Sequence, residues 1–170
     1  YSDNLIFYQF MIEFTHFQSP IGMLSIFALK EGVIKISFSN ESFEECKEWC
    51  WEHMGIETRE GPDLTDEAKI QILKYFSGRR KSLDFHVVHL NTPFRRRVLK
   101  AEKNIPYGQT RSYMEVATMV NKPSAFRAVG SANANNPLPL YFPCHRIIKS
   151  DGTLGGFGWG LEVKRFLLDL

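Results

Sequence analysis

The first half of the chain alternates between short apolar runs and turn signals, then changes to helical spacing. Residues 5–14 are apolar and aromatic with a weak alternation that predicts a strand. Ser19-Pro20-Ile21-Gly22 and Lys30-Glu31-Gly32 are turns around the runs 23–29 and 33–38, which makes a β-meander. Residues 42–54 are acidic and aromatic at helical spacing. After a Gly61-Pro62 break, a second helix is predicted from about Thr65 to Phe76, stopped by Ser77-Gly78. Strands followed by helices give a small α+β unit with an antiparallel sheet.

The second half reads as helices joined by tight turns. Thr92 is an N-cap and Pro93 a first helical residue, leading into a helix over 94–104 that Ile105-Pro106-Tyr107-Gly108 ends. Ser112-Tyr113-Met114-Glu115 is a capping box, which predicts a helix running to about Val120. Asn121-Lys122-Pro123 breaks it. Ser124 is expected to cap a third helix over 125–135, which Asn136-Pro137 terminates. Two short helices joined by a tight turn predict a helix-turn-helix. No internal repeat or low-complexity segment is evident.

Charge changes this picture. Residues 1–90 carry nine Lys/Arg against fourteen Asp/Glu, a net of −5, and residues 91–170 carry twelve against five, a net of +7. The basic half is the candidate anion-binding half, suited to a polyanionic partner. No apolar run is long enough to span a bilayer, and the leading segment lacks a secretory pattern, so an intracellular protein, cytoplasmic or nuclear, is expected. Three cysteines are too few and too odd in number for a disulfide framework. Cys46, Cys50 and His53 fall at i, i+4 and i+7 on one helical face. A structural zinc site wants four ligands, and the neighbouring Trp49 and Trp51 fit a packed helix, so no metal is assigned.

The candidate chemistry lies in residues 136–146, where Cys144 stands beside His145 between prolines. Proline locks φ and drives the preceding residue toward extended geometry, so a stiff, extended arm that presents Cys144 is expected. The helix before it is rich in small residues and carries one long cation, Arg127. Such a face fits either tight core packing or close approach to a DNA groove into which one side chain is inserted.

Ile105-Pro106-Tyr107-Gly108-Gln109-Thr110-Arg111-Ser112-Tyr113, Arg127-Ala128-Val129-Gly130, Asn136-Pro137-Leu138-Pro139, Pro143-Cys144-His145-Arg146 and Gly155-Gly156-Phe157-Gly158-Trp159-Gly160-Leu161 occur in register. In order and spacing they resemble the O6-alkylguanine-DNA alkyltransferases. The resemblance covers residues 92–170, and the 19–22 turn and the helix near Thr65 look like that family's N-terminal domain. It implies an α+β chain with an N-terminal sheet-and-helix domain over 1–88 and a mostly helical, winged helix-turn-helix-like domain over 89–170.

The implied function is direct DNA repair, in which Cys144 irreversibly takes the alkyl group from O6 of guanine in one suicidal turnover. It implies His145 as a base acting through a water and Tyr113 as a proton donor to guanine N3. Asn136 matches the hinge asparagine, and Arg127 matches the arginine inserted as the base flips into the protein. DNA contacts are expected from Ser124, Ala125, Phe126, Arg95, Arg96 and Lys122, and the pocket wall from Ile147, Gly156, Phe157, Gly158 and Trp159. Arg146 is expected to brace the fold by an ion pair.

The family's glutamate that orients the histidine would match the position after Leu170, so Asp169 is a neighbour of that position and not the match. An ordinary thiol is mostly protonated at neutral pH, so a lowered pKa is expected for Cys144. Trp159 is bulky where some relatives have glycine, which predicts a narrow pocket that reacts poorly with O6-benzylguanine. The expected partner is alkylated double-stranded DNA, bound by a monomer with no cofactor and no membrane. A non-catalytic DNA-binding or damage-sensing module and a cysteine hydrolase are the competing readings; the first does not need Cys144, and the second lacks a third catalytic member.

Overall fold

The computed structural model describes residues 11–38 and 42–170. Two compact units divide between Val88 and His89. Residues 5–10 of the first predicted strand lie outside the described residues.

In the first unit the meander forms β1 (Ile12–Ser19), β2 (Gly22–Leu29) and β3 (Gly32–Phe38), antiparallel in sequence. Ser19 closes the first hairpin, its hydroxyl donating to the Gly22 carbonyl at 2.6 Å and accepting from the Ile21 N–H. Gly32 has φ +142°, and a Cβ there would stand 2.7 Å from the His86 backbone, so the close approach of the 86–88 segment requires glycine. The first helix, α1 (Phe43–Met54), begins with a capping box in which Ser42 and Glu45 exchange side-chain bonds to each other's N–H.

The expectation of an all-antiparallel sheet is corrected by β4 (Thr58–Glu60), which pairs parallel to β1, giving the order β3-β2-β1-β4. Its three polar residues have no apolar alternation to mark them as a strand. Buried Glu13 on β1 fixes this edge by accepting from the Leu64 N–H at 2.7 Å and from Arg59 at 2.9 Å. The second helix, α2 (Asp66–Phe76), buries Ala68, Ile72, Tyr75 and Phe76.

The metal constellation does not assemble. Cys46 and Cys50 are buried, whereas His53 is exposed, bonds the Trp49 carbonyl and stacks on the Trp49 ring. Among the described residues no group of three His, Cys, Asp or Glu side chains is placed to hold a metal.

The second unit contains α3 (Pro93–Lys103), β5 (Arg111–Ser112), α4 (Tyr113–Met119), α5 (Phe126–Ala134), a 3₁₀ turn (Cys144–Arg146), β6 (Ile147–Ile148) and α6 (Leu161–Asp169). Thr92 caps α3, and the Ser112–Glu115 capping box opens α4 with both reciprocal bonds. Helix α5 starts later than expected. The Ala125 N–H closes a turn onto the Lys122 carbonyl, so Ala125 occupies the cap position and Ser124 makes no cap bond. Helix α6 and the parallel β5–β6 pair were not anticipated from the sequence.

The core joins Val98 of α3, Ile105, Val116 and Ala117 of α4, Val129 and Ala132 of α5, and Ile147 of β6. Of the residues of α5, Val129 and Ala132 pack inward while Ala128 and Ser131 face solvent. No helix among the described residues is long and apolar enough to cross a membrane.

Candidate active site

Asn136 organises the arm. Its Oδ1 accepts from the Leu138 N–H at 3.0 Å, and its Nδ2 donates to the Phe142 carbonyl at 3.0 Å and to Cys144 Sγ at 3.3 Å. The Phe142 N–H returns to the Leu138 carbonyl, with Leu140 at φ 68° on the bend. The arm is therefore a closed loop leading into a 3₁₀ turn, in which the Cys144 N–H bonds the Phe142 carbonyl and the Arg146 N–H bonds the Pro143 carbonyl. This corrects the extended geometry expected there. A proline φ near −65° is as compatible with a 3₁₀ turn as with a strand.

Cys144 is only 7% exposed, yet it lines a cavity of about 280 Å³ together with Tyr113, Asn136, Gly156, Phe157 and Trp159. Gly158 and Asn133 also line it. Gly155, at φ +69°, lies so close to Tyr113 that a Cβ would stand 3.2 Å from the phenol oxygen. Ile147 does not line the cavity. Its strand pairs with β5, and its side chain is fully buried in the core, which corrects its assignment to the pocket wall.

Lys164, which the sequence analysis missed, fixes this wall. It is fully buried on α6, and its ammonium donates to the carbonyls of Ile147 at 2.5 Å, of Leu154, and of Gly156 at 3.4 Å. One side chain thus ties the strand after Cys144 to the glycine-rich loop. The available signal was a lysine three residues before Leu167 on one helical face. Arg146 braces the arm by donating to the Ile105 carbonyl at 2.7 Å and lying 5.6 Å from the Tyr107 ring.

The electrostatics run against a preformed thiolate. Burial pushes the Cys144 thiol up to about 12; Glu102 adds to the rise, and the Asn136 bond and Lys164 oppose it. The expected lowering of this pKa is corrected, because desolvation outweighs the nearby donors. Burial, aided by Arg146 and Lys164, pushes His145 down to about 3, so it is a neutral imidazole. Among the described residues neither ring nitrogen has a hydrogen-bond partner. Tyr113 is raised by burial and by the proximity of Cys144 and Glu102, which keeps its phenol protonated.

Other predicted residues do not line the cavity. Arg127, Phe126, Lys122, Ser124 and Arg96 are exposed, and Ala125 and Arg95 are half-buried. Phe126 is 42% exposed, and its ring lies 5.8 Å from the Arg127 guanidinium. Arg96 donates to the Asn91 carbonyl.

Residues 93–170 match the family described as 6-O-methylguanine DNA methyltransferase, DNA binding domain, and residues 6–88 match its ribonuclease-like domain. The chain is 38% identical to the constitutive methylated-DNA–protein-cysteine methyltransferase of Bacillus subtilis, over 92% of this chain and 93% of that protein. It is 39% identical to the enzyme of that name from Methanosarcina barkeri, over 90% and 92%. The crystal structure of Mycobacterium tuberculosis OGT in complex with DNA superposes with a TM-score of 0.82 at 35% identity, covering 93% of this chain and 92% of that one. Both units match the halves of one family in order, and the chain belongs to the methylated-DNA–protein-cysteine methyltransferases.

Proposed function

We propose that this chain repairs O6-alkylguanine in duplex DNA by moving the alkyl group onto Cys144, once per molecule and without a cofactor. The observation that carries this reading is the Asn136–Cys144 contact on the wall of a cavity roofed by Tyr113 and the glycine-rich loop. A monomer suffices, since a single helix approaches the minor groove.

The target base leaves the stack, which costs a few kcal/mol, and exposed Arg127 fills the gap it leaves. Phe126 beside it is exposed and is an apolar wedge of the kind that unstacks base steps. In the cavity, Sγ attacks the alkyl carbon, an S–C bond forms and the C–O6 bond breaks. The guanine anion takes a proton at N3 from Tyr113. The thiol proton passes through water to His145, and solvent returns the balance, leaving guanine and S-alkylcysteine. With the thiol near 12 and the imidazole near 3, no stable ion pair precedes the reaction. The proton therefore leaves Sγ in company with attack rather than before it.

Stoichiometry tests the reading. Titrating the protein with a duplex carrying labelled O6-methylguanine should saturate at one label per chain, whereas continued turnover or no transfer would contradict it. Arg127→Ala should slow transfer from duplex DNA by about tenfold, equivalent to about 1.4 kcal/mol of flipping energy, and leave the reaction with free O6-methylguanine unchanged. Single-turnover rates on the two substrates check this. Trp159 on the cavity wall should make O6-benzylguanine a slow inactivator, and Trp159→Gly should speed inactivation by about tenfold. Rapid inactivation of the wild-type protein would refute the narrow pocket.

A further inference from the structure

Glu102 is a buried carboxyl that the reaction above does not use. It lies on α3, fully excluded from solvent, and among the described residues neither carboxyl oxygen has a hydrogen-bond partner of good geometry. An isolated buried charge is costly, so such a group is either neutral or in electrostatic contact with other groups. The groups coupled to it electrostatically are Asn133 of α5, Lys164 of α6, Tyr113 of α4 and Cys144 of the 3₁₀ turn. Three of these, Asn133, Tyr113 and Cys144, line the cavity. The Asn133 amide is also buried without a partner of good geometry, although it is close enough to favour the ionised form of Glu102.

We propose that Glu102 is a positioning residue that sets the charge balance at the thiol. As a neutral acid it leaves the Lys164 charge available to favour the Cys144 thiolate, and as a carboxylate it cancels that charge and opposes both thiolate formation and proton release from Tyr113. The proposal rests on the alkyl-transfer reading.

The switching range follows from the surroundings. Burial dominates over the opposing pull of Asn133 and Lys164 and pushes Glu102 up to about 8, so it is mostly neutral at pH 7 and mostly ionised at pH 9. Thiolate chemistry alone would accelerate steadily across that interval. Ionisation of Glu102 opposes the rise, so the wild-type rate should flatten where a permanently neutral side chain would let it continue. Burial lowers the Lys164 pKa while Cys144 and Glu102 oppose the fall, and the carbonyls of Ile147, Leu154 and Gly156 hold its ammonium by accepting from it.

The test compares the wild-type protein with Glu102→Gln between pH 7 and pH 9. It measures methyl transfer from O6-methylguanine duplex and, separately, carbamidomethylation of Cys144 by iodoacetamide, resolved by peptide mass. The ratio of variant to wild-type rate should rise at least about threefold with pH in both reactions. A ratio that does not change with pH would overturn the role of Glu102, because a purely structural substitution rescales the rate at every pH. Absence of methyl transfer by the wild-type protein would instead defeat the alkyl-transfer reading, while the iodoacetamide ratio would still judge Glu102. Should the variant fail to fold, carboxyl-labelled wild-type protein decides by carbon NMR. One glutamate resonance titrating above pH 7 supports the proposal, and all of them titrating below about pH 6 would overturn it.

Discussion

Cys144→Ser is expected to lower methyl transfer from O6-methylguanine duplex by at least about a thousandfold, measured as a single-turnover rate. The substitution keeps a side chain of nearly the same shape on the cavity wall and still offers an acceptor to Asn136 Nδ2, which now donates to Sγ at 3.3 Å. Packing is therefore a minor part of the loss. Displacement at a saturated carbon favours a soft, polarisable nucleophile. A buried hydroxyl with a neutral imidazole as its neighbour cannot supply an anion at neutral pH. A variant that retained a tenth of the wild-type rate would place the acceptor elsewhere.

Lys164→Met is expected to destabilise the second unit by about 3 kcal/mol, read as a lowered urea midpoint. The methionine matches the stem of the lysine but leaves the buried Ile147 carbonyl and the part-buried carbonyls of Leu154 and Gly156 without the ammonium that satisfies them. A charge-assisted bond contributes about 1.5–3 kcal/mol, and relaxation of the loop toward water recovers part of the loss. The same substitution removes the positive charge that favours the Cys144 thiolate, so transfer should slow as well. An unchanged urea midpoint would show that the loop is held by something other than this side chain.

These two residues illustrate what the chain disclosed before its fold was known. Cys144 stood out because local chemistry marked it: a thiol, an imidazole and prolines within a few residues. The helix starts at Ser42 and Ser112 were legible for the same reason, since each capping box is closed by residues three apart. Lys164 and Glu102 were not. A buried charge looks like a surface charge in a sequence, and only the tertiary arrangement shows that α6 turns its lysine inward and α3 its glutamate. Strand β4 was hidden because its pairing depends on Glu13, which is far away along the chain.

The misread positions have equally local causes. Ser124 lost the cap to Ala125 because the preceding turn closes onto Lys122. Ile147 follows the active-site turn in sequence, but its side chain enters the core from a strand paired with β5. Proline counts led to an extended arm, whereas the side chain of Asn136 folds it into a loop. That loop is what brings a sulfur atom to the cavity. The 7% exposure of Cys144 shows that the arm shelters the thiol more than it presents it, leaving the cavity as its route to substrate.

The most direct measurement is the mass of each cysteine-containing peptide after incubation with O6-methylguanine duplex DNA. All three cysteines are free and buried, but Cys144 alone lines the cavity described here. One added methyl group on the Cys144 peptide, with the Cys46 and Cys50 peptide unmodified, is the predicted result. An unmodified Cys144 peptide from protein that has bound the duplex, or methylation at Cys46 or Cys50 instead, would contradict the account.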